Sequence, residues 1–253
     1  MLPEFKDTAI CAARAAGSFL LQLSEVEVCS AEGRDIKLYA DKKSEEILLA
    51  HLSPTGIPVL SEETPADDST MQGMRWIIDP LDGSYNLFKG MRDLCCVSVA
   101  LWDGVRPLLG VVYRFASDEL YVGVPGEGAY LNNQRVQSSA VQNLNQASLA
   151  TGFPVNTDFD DSSTKQHMAL LQYFKKVRML GSAALMCSFV GSGRIDVYAE
   201  RKIFIWDIAA ALAIVLAGGG VYDCVFLDKH MCDVSAFANK SLQNCYASCL
   251  CKM

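Results

Sequence analysis

The segment of residues 76–86 places the strongest limit on how this chain can fold. It reads Trp-Ile-Ile-Asp-Pro-Leu-Asp-Gly-Ser-Tyr-Asn. The three apolar residues at its start predict a buried strand, and Pro80 and Gly83 end that strand. Asp79 and Asp82 therefore lie at the C-terminal tip of a strand, where open α/β sheets bind their ligands. Two neighbouring carboxylates repel each other, so the pair is best accommodated around a divalent cation.

Two further acidic positions favour the same interpretation. Asp207 lies at the start of an apolar helix that ends at Gly218, where the positive end of the helix dipole favours a carboxylate. Glu62 and Glu63 follow the short apolar run of residues 57–60. Acidic residues at the ends of three separate elements predict a metal centre with oxygen ligands.

Each acidic residue also has a simpler structural explanation. Asp79 and Asp82 could be turn residues, and Asp207 could cap its helix. Glu63 could be a solvated surface acid, and this alternative stays open. The joint presence of Glu62, Asp79, Asp82 and Asp207 makes the metal centre the stronger hypothesis.

Charge and composition exclude several classes of protein. The formal net charge of −7 argues against a protein that wraps nucleic acid. Bound cations would still make an acidic site locally positive for an anionic substrate. No apolar run approaches the ~20 residues that span a membrane. The N-terminus lacks the basic start of a signal peptide, so we expect a cytoplasmic protein without a membrane segment.

The remaining reactive side chains indicate no other catalytic centre. His51, His167 and His230 pair with no acid or nucleophile, which excludes a Ser-His-Asp hydrolase. The Gly-Gly-Gly run at residues 218–220 lacks the Lys and Ser/Thr of a P-loop. Ten cysteines include no C-x-x-C pair, so we expect reduced thiols rather than a zinc site. Five of them crowd the C-terminal part of the chain: Cys224, Cys232, Cys245, Cys249 and Cys251.

The order of predicted elements divides the chain into two halves, with a break in the polar stretch at residues 136–146. Residues 1–140 predict helices over 4–28 and 42–52 that pack on an antiparallel sheet, an α+β half carrying most metal ligands. Residues 141–253 alternate between strands and helices, an α/β half that completes the metal and substrate site. The fold class is therefore α/β in two halves.

Several motifs, taken in their order and spacing, resemble the inositol monophosphatase family. They are Glu-Glu at 62–63, Asp-Pro-Leu-Asp-Gly-Ser at 79–84, Gly-Glu-Gly-Ala-Tyr-Leu at 126–131, Thr-Gly-Phe-Pro at 151–154, Gly-Ser-Ala-Ala at 181–184 and Trp-Asp-Ile-Ala-Ala at 206–210. The resemblance covers nearly the whole chain. It implies a magnesium-dependent, lithium-sensitive phosphomonoesterase with a layered αβαβα sandwich fold, assembled as a homodimer.

The resemblance also assigns the metal ligands. Glu62 and Asp79, with the carbonyl of Leu81, would bind a first Mg²⁺ ion. Asp79 would bridge to a second ion, held also by Asp82 and Asp207. A third, weaker ion near Glu62 would bring the total to two or three Mg²⁺ per site. Glu63 is expected beside these ligands without binding a metal itself.

The same resemblance suggests how water and substrate are handled. Ser84, which replaces the family's usual threonine, and Asp41 would polarise the attacking water together with Glu62. Backbone N–H groups at a helix start, those of Gly83 and Ser84, suit a phosphate group. The remaining substrate contacts implied by the resemblance are Gly181, Ser182, Ala183 and Glu200, the last of which would accept a substrate hydroxyl.

The substrate and even the class of function keep alternatives. Inositol-1-phosphate is the first expectation, and fructose-1,6-bisphosphate or a 3′(2′),5′-bisphosphate nucleotide are alternatives on the same scaffold. Arg201 and Lys202 could contact a second anionic group or belong to a solvated loop. Some relatives act as transcription or ribosomal-RNA factors, which would make the chain a binding protein. The complete set of ligands favours catalysis.

Overall fold

Two large β-sheets and the helices that cover them build the fold. The computed structural model describes residues 2–32, 35–64, 73–154 and 157–251. The helices in this part are α1 (Leu2–Gln22), α2 (Tyr39–Leu52), α3 (Ser84–Phe88), α4 (Ser162–Leu170), α5 (Ala183–Gly191), α6 (Ile205–Ala217) and α7 (Lys240–Leu250). The strands are β1 (Val28–Glu32), β2 (Asp35–Leu38), β3 (Val59–Ser61), β4 (Arg75–Asp82), β5 (Cys96–Trp102), β6 (Pro107–Arg114), β7 (Glu119–Val124), β8 (Gly128–Leu131), β9 (Gln134–Val136), β10 (Ser148–Ala150), β11 (Lys176–Arg178), β12 (Val197–Phe204), β13 (Val221–Phe226) and β14 (Met231–Phe237).

The larger sheet contains seven strands, β3 to β9, in chain order. β3 runs parallel to β4, whereas the other neighbours in this sheet are antiparallel. The prediction of a wholly antiparallel sheet is therefore wrong at β3. The parallel pair brings the C-terminal ends of β3 and β4 to one edge, so that Glu62 lies near Asp79.

The second sheet contains five strands in the order β11-β10-β12-β14-β13. α1 and α2 pack on one side of the seven-stranded sheet, and α5 and α6 lie between the two sheets. α7 packs on β13 and β14 of the five-stranded sheet. These layers confirm the predicted αβαβα sandwich. The division at residue 140 stays a prediction, because α6 contacts both sheets.

α6 is the buried helix that joins the two sheets. Nine of its residues are buried, because a helix apolar on all sides needs cover on all sides. Gly110 of β6 and Gly123 of β7 let its backbone approach closely. A Cβ atom would lie 1.9 Å from the Ala210 carbonyl oxygen at Gly110, and 2.4 Å from Cα of Ile214 at Gly123. None of the described helices has the length and apolar character that a membrane crossing needs.

Two stretches of the chain differ from the predicted elements. The helix predicted over residues 4–28 ends at Gln22, and Val28 begins β1 instead. The reason is the two-residue alternation of Val26 and Val28 with glutamates, which suits a strand paired with β2. Residues 231–250 carry no predicted element, yet they form β14 and α7.

We predict that Gly110→Ala destabilises the protein by about 3 kcal/mol or more, because the added methyl group overlaps the backbone of α6 and neither element can yield easily. The urea midpoint of unfolding measures this change. Gly126→Ala is the control, because a Cβ there meets nothing within 4 Å and costs only its left-handed backbone, about 1 kcal/mol. Equal midpoints for the two variants would contradict the close packing of α6 on β6.

Candidate active site

Three carboxylates from separate elements converge at the C-terminal edge of β3 and β4. Glu62 follows β3, Asp79 lies in β4, and Asp207 lies in the first turn of α6. One oxygen from each lies within 4.8 Å of the others. Asp79 is only 1% exposed, Asp207 is half-buried and Glu62 is exposed, so the cluster opens to solvent on the Glu62 side.

The electrostatics of this cluster are unfavourable without a cation. Burial first, and then the charges of Glu62 and Asp82, raise the pKa of both Asp79 and Asp207 well above the usual range. Burial also raises the pKa of Asp82 to about 6. Close carboxylate oxygens are the ligands that Mg²⁺ prefers, and a cation would offset their repulsion. The donor set therefore fits a magnesium site.

Asp82 lies beside this cluster but makes its own contacts. Its carboxylate accepts hydrogen bonds from Ser182 Oγ at 2.6 Å, from the Ala184 N–H at 2.7 Å and from the Ala183 N–H at 3.2 Å. Asp82 thus caps α5, at a sequence distance of 100 residues from Ser182. An ionised carboxylate has about four lone-pair sites, so it can cap a helix and still bind a metal. Asp82 as a ligand, and Ser182 and Ala183 as substrate contacts, stay predictions.

Ser84 and Asp41, the pair that the family resemblance implies, form a hydrogen bond. The Ser84 hydroxyl lies 2.5 Å from Asp41 Oδ1 and 3.0 Å from the Leu81 carbonyl oxygen, and it can donate to either. The Leu38 N–H holds the other Asp41 oxygen at 3.0 Å. Burial raises the pKa of Asp41 to about 6, the Ser84 bond lowers it, and the charge of Glu63 raises it. The buried Asp41 therefore fixes the orientation of the Ser84 hydroxyl.

Glu200 is a buried acid close to the carboxylate cluster. It is 7% exposed, and the Tyr198 hydroxyl donates to its carboxylate at 2.9 Å. Gly152 lies against it so closely that a Cβ atom would stand 2.6 Å from a carboxylate oxygen. Burial is the main cause that raises the pKa of Glu200 to about 7, and the charge of Asp82 adds to it. Glu200 therefore lies close enough to Asp82 for the two negative charges to interact.

Three residues that support the site had no predicted role. Asn86 Nδ2 donates to the carbonyl oxygens of Leu94 and Leu180, at 2.9 and 2.8 Å, and so joins the Asp-Gly-Ser loop to the segment before α5. Ser44 donates to the Pro80 carbonyl at 2.6 Å. Asn86 stands within the motif of residues 76–86, which is the one signal that could have drawn attention to it.

The third such residue is Asp233, which holds the irregular part of β12. The pairing of β12 with β14 shifts between Glu200 and Ile203, and Lys202 adopts a left-handed φ of 54°. Asp233 accepts from the Lys202 N–H at 2.9 Å and forms an ion pair with Arg201 at 2.9 Å. Arg201 is therefore already engaged, whereas the Lys202 side chain is exposed. No local sequence pattern indicates this long-range contact.

The arrangement agrees with the comparison to known proteins. The profile of the family described as "Inositol monophosphatase family" matches residues 1–248. The chain belongs to the inositol monophosphatase family. It is accordingly a phosphoric monoester hydrolase, of a family that depends on magnesium.

Named relatives agree with this membership. Inositol monophosphatase 3 of Solanum lycopersicum is 34% identical over 231 residues, 87% of this chain and 86% of that protein. Nus factor SuhB of Xylella fastidiosa is 33% identical over 225 residues, 85% of this chain and 79% of that protein. The solved inositol monophosphatase from Anabaena (Nostoc) superposes with a TM-score of 0.84 at 28% identity, over 100% of this chain and 97% of that one.

We predict that the metal-free protein loses stability as the pH rises from about 4 to about 7. A carboxyl group whose pKa rises on folding binds more protons in the folded state, so each unit of pH across that window costs stability. The groups concerned include Asp41 and Asp82, with a pKa of about 6, and Glu200, with a pKa of about 7. Thermal melting in EDTA should give a higher Tm at about pH 5 than at about pH 7.5.

Magnesium should reverse this loss. At about one hundred times its Kd, a bound ion stabilises the folded state by about 2.7 kcal/mol. That corresponds to a rise in Tm of roughly 5–10 °C for a chain of this size. We expect the rise at about pH 7.5 to exceed the rise at about pH 5, because protons compete for the same oxygens. Asp207→Asn should show a smaller rise, and an unchanged rise would contradict the metal assignment.

Proposed function

We propose that the protein hydrolyses inositol-1-phosphate to inositol and phosphate. The observation that carries this proposal is the convergence of Glu62, Asp79 and Asp207 beside the hydrogen-bonded pair of Ser84 and Asp41. The name of the Solanum relative supports the choice of substrate. Glu200, a buried acceptor close to Asp82 and Asp207, suits the hydroxyl groups of a polyol.

We assign two Mg²⁺ ions to the site, and a third, weaker one near Glu62. Glu62, Asp79 and the Leu81 carbonyl would hold the first ion, and Asp79, Asp82 and Asp207 the second. When bound, such ions lower the pKa of a water molecule and offset the charge of the phosphate. Lithium inhibition follows from the family resemblance and stays part of this proposal, as does the homodimer.

The residues of the chain itself orient the reaction. Asp41 is fixed at the start of α2 by the Leu38 N–H, and it accepts the hydrogen bond of the Ser84 hydroxyl. Ser84 can therefore accept from a water molecule while its own proton is held by Asp41. Glu62, on the open side of the cluster, would take part in orienting the same water.

Substrate contacts surround this pair. Gly83 adopts a left-handed φ of 97°, and its place before α3 presents backbone N–H groups of the loop, with that of Ser84, to a phosphate. On the other side we place Glu200 and the segment of Gly181, Ser182 and Ala183, which Asn86 and Asp82 hold near the loop. The polyol would lie between these two groups.

A role in a transcription complex is the second candidate. It rests on the name of the Xylella relative, Nus factor SuhB. A binding role does not require a metal centre, so it predicts that Asp207→Asn keeps function. The phosphatase proposal predicts that the same variant loses turnover.

We predict that Ser84→Ala lowers kcat by about 10²-fold or more, because the water loses a positioned hydroxyl group. Ser84→Thr is the matched control, since it keeps that hydroxyl, and we expect it to retain most of the turnover. The measurement is phosphate release with saturating magnesium. If both variants lost activity equally, the hydroxyl group would not be the cause.

The substrate itself can be decided with a panel of phosphate esters. It contains inositol-1-phosphate, fructose-1,6-bisphosphate and adenosine 3′,5′-bisphosphate, each run with magnesium, with EDTA and with Asp79→Asn. We expect turnover to be greatest with inositol-1-phosphate and to be abolished by EDTA or by the substitution. A higher kcat/KM for either bisphosphate would refute the substrate choice, and turnover in EDTA would refute the metal role. Circular dichroism checks that Asp79→Asn is folded.

A further inference from the structure

Two cysteines outside the proposed site face each other across neighbouring strands. In the antiparallel pair of β13 and β14, Cys224 lies opposite Val234 and Phe226 lies opposite Cys232. Because side chains alternate along a strand, Cys224 and Cys232 lie on the same face as diagonal neighbours. Both belong to the apolar core formed with α5 and α6. The register therefore places the two thiols side by side on the face of the sheet that packs on this core.

The two thiols differ in access. Cys232 is completely buried, whereas Cys224 is partly exposed. Cys224 lines an open cavity between β13 and the turn after β5, together with Val105, Tyr222 and Phe226. A small molecule in solvent can reach Cys224 and not Cys232.

The thiols also differ in their tendency to ionise. A hydrogen bond between the two thiols lowers the pKa of Cys224. The same bond, with burial, raises the pKa of Cys232. An accessible thiol with a lowered pKa beside a buried second thiol is the arrangement in which cysteine oxidation is selective.

We propose that Cys224 and Cys232 are an oxidisable pair, which a hydroperoxide such as hydrogen peroxide converts into an intramolecular disulfide. The Cys224 sulfur attacks a peroxide oxygen; an S–O bond forms, the O–O bond breaks, and water leaves. The Cys232 sulfur then attacks the Cys224 sulfur; the S–S bond forms, the S–O bond breaks, and a second water leaves with the thiol proton. Two thiols lose two electrons, and one peroxide gains them.

The disulfide would act on the proposed phosphatase site through Asp233. Diagonal neighbours have Cα atoms roughly 7–8 Å apart, whereas a disulfide usually spans about 4.4–6.8 Å. The strands must therefore move together locally. Asp233 follows Cys232 directly and holds Arg201 and Lys202, between Glu200 and Asp207. We expect oxidation to displace this segment and lower turnover, a consequence that rests on the proposed function, whereas the disulfide itself does not.

Peptide mapping tests the pair without reference to activity. The reduced, magnesium-loaded protein is treated with hydrogen peroxide, blocked with an alkylating agent and digested with trypsin without reduction. Cleavage after Lys202, Lys229 and Lys240 gives residues 203–229 and 230–240, with one cysteine each. We expect these two peptides joined, at a mass two hydrogens below their sum. Cys224→Ser should abolish the joined species, and the control Cys249→Ser in α7 should retain it.

Specific outcomes would overturn the proposed disulfide and its proposed effect on turnover. Free, alkylated Cys224 after peroxide treatment overturns the pair, as does Cys224 joined to the peptide of Cys187, another buried thiol of this core.

The expected loss of activity has its own test. Phosphate release should fall by more than half on oxidation, recover with a phosphine reductant and stay constant in Cys224→Ser. A joined peptide with unchanged turnover overturns the coupling. A joined peptide in a protein that hydrolyses no phosphate ester supports the pair and overturns the proposed function.

Discussion

The mutual repulsion of Glu62, Asp79 and Asp207 is the constraint on which the rest of the structure depends. Burial of Asp79 makes this repulsion costly, so the surrounding fold must hold the three carboxylates in place until a cation offsets their charge. The elements that hold them are closely packed. Gly110 and Gly123 bring two strands into direct contact with the backbone of α6, which carries Asp207. The geometry of the proposed metal site therefore depends on how α6 packs on the seven-stranded sheet.

A second layer of polar contacts joins the elements that surround this cluster. Asp82 caps α5, Asn86 bonds the segment before it, and Asp233 holds the irregular part of β12. Each of these contacts links residues far apart in the chain. Substitutions in this layer should therefore be non-additive, because residues that share one network couple energetically. The same connectivity is the route by which oxidation of Cys232, next to Asp233, would affect Glu200.

Local patterns predicted which elements carry the acidic residues of the cluster. Asp82 ends the buried strand β4 and Asp207 lies in the first turn of α6, as expected, whereas Pro80 lies inside β4 rather than ending it. These expectations hold because a strand or helix end depends on neighbouring residues alone. The predicted end of α1 was wrong because residues 23–28 fit both the helical period and the two-residue period of a strand. Pairing with β2 decided in favour of the strand.

By itself, the sequence determined which residue types form the acidic cluster and which helices and strands carry them. Tertiary structure alone decided which of those residues meet. Asp82 bonds Ser182 across 100 residues, and Ser84 bonds Asp41 across 43. Whether Cys224 faces Cys232 depends on the register of β13 and β14, which a shift of one residue would reverse. The physical reason is that side-chain contacts between elements follow from sheet register and helix packing, and these are set by the whole core rather than by any local segment.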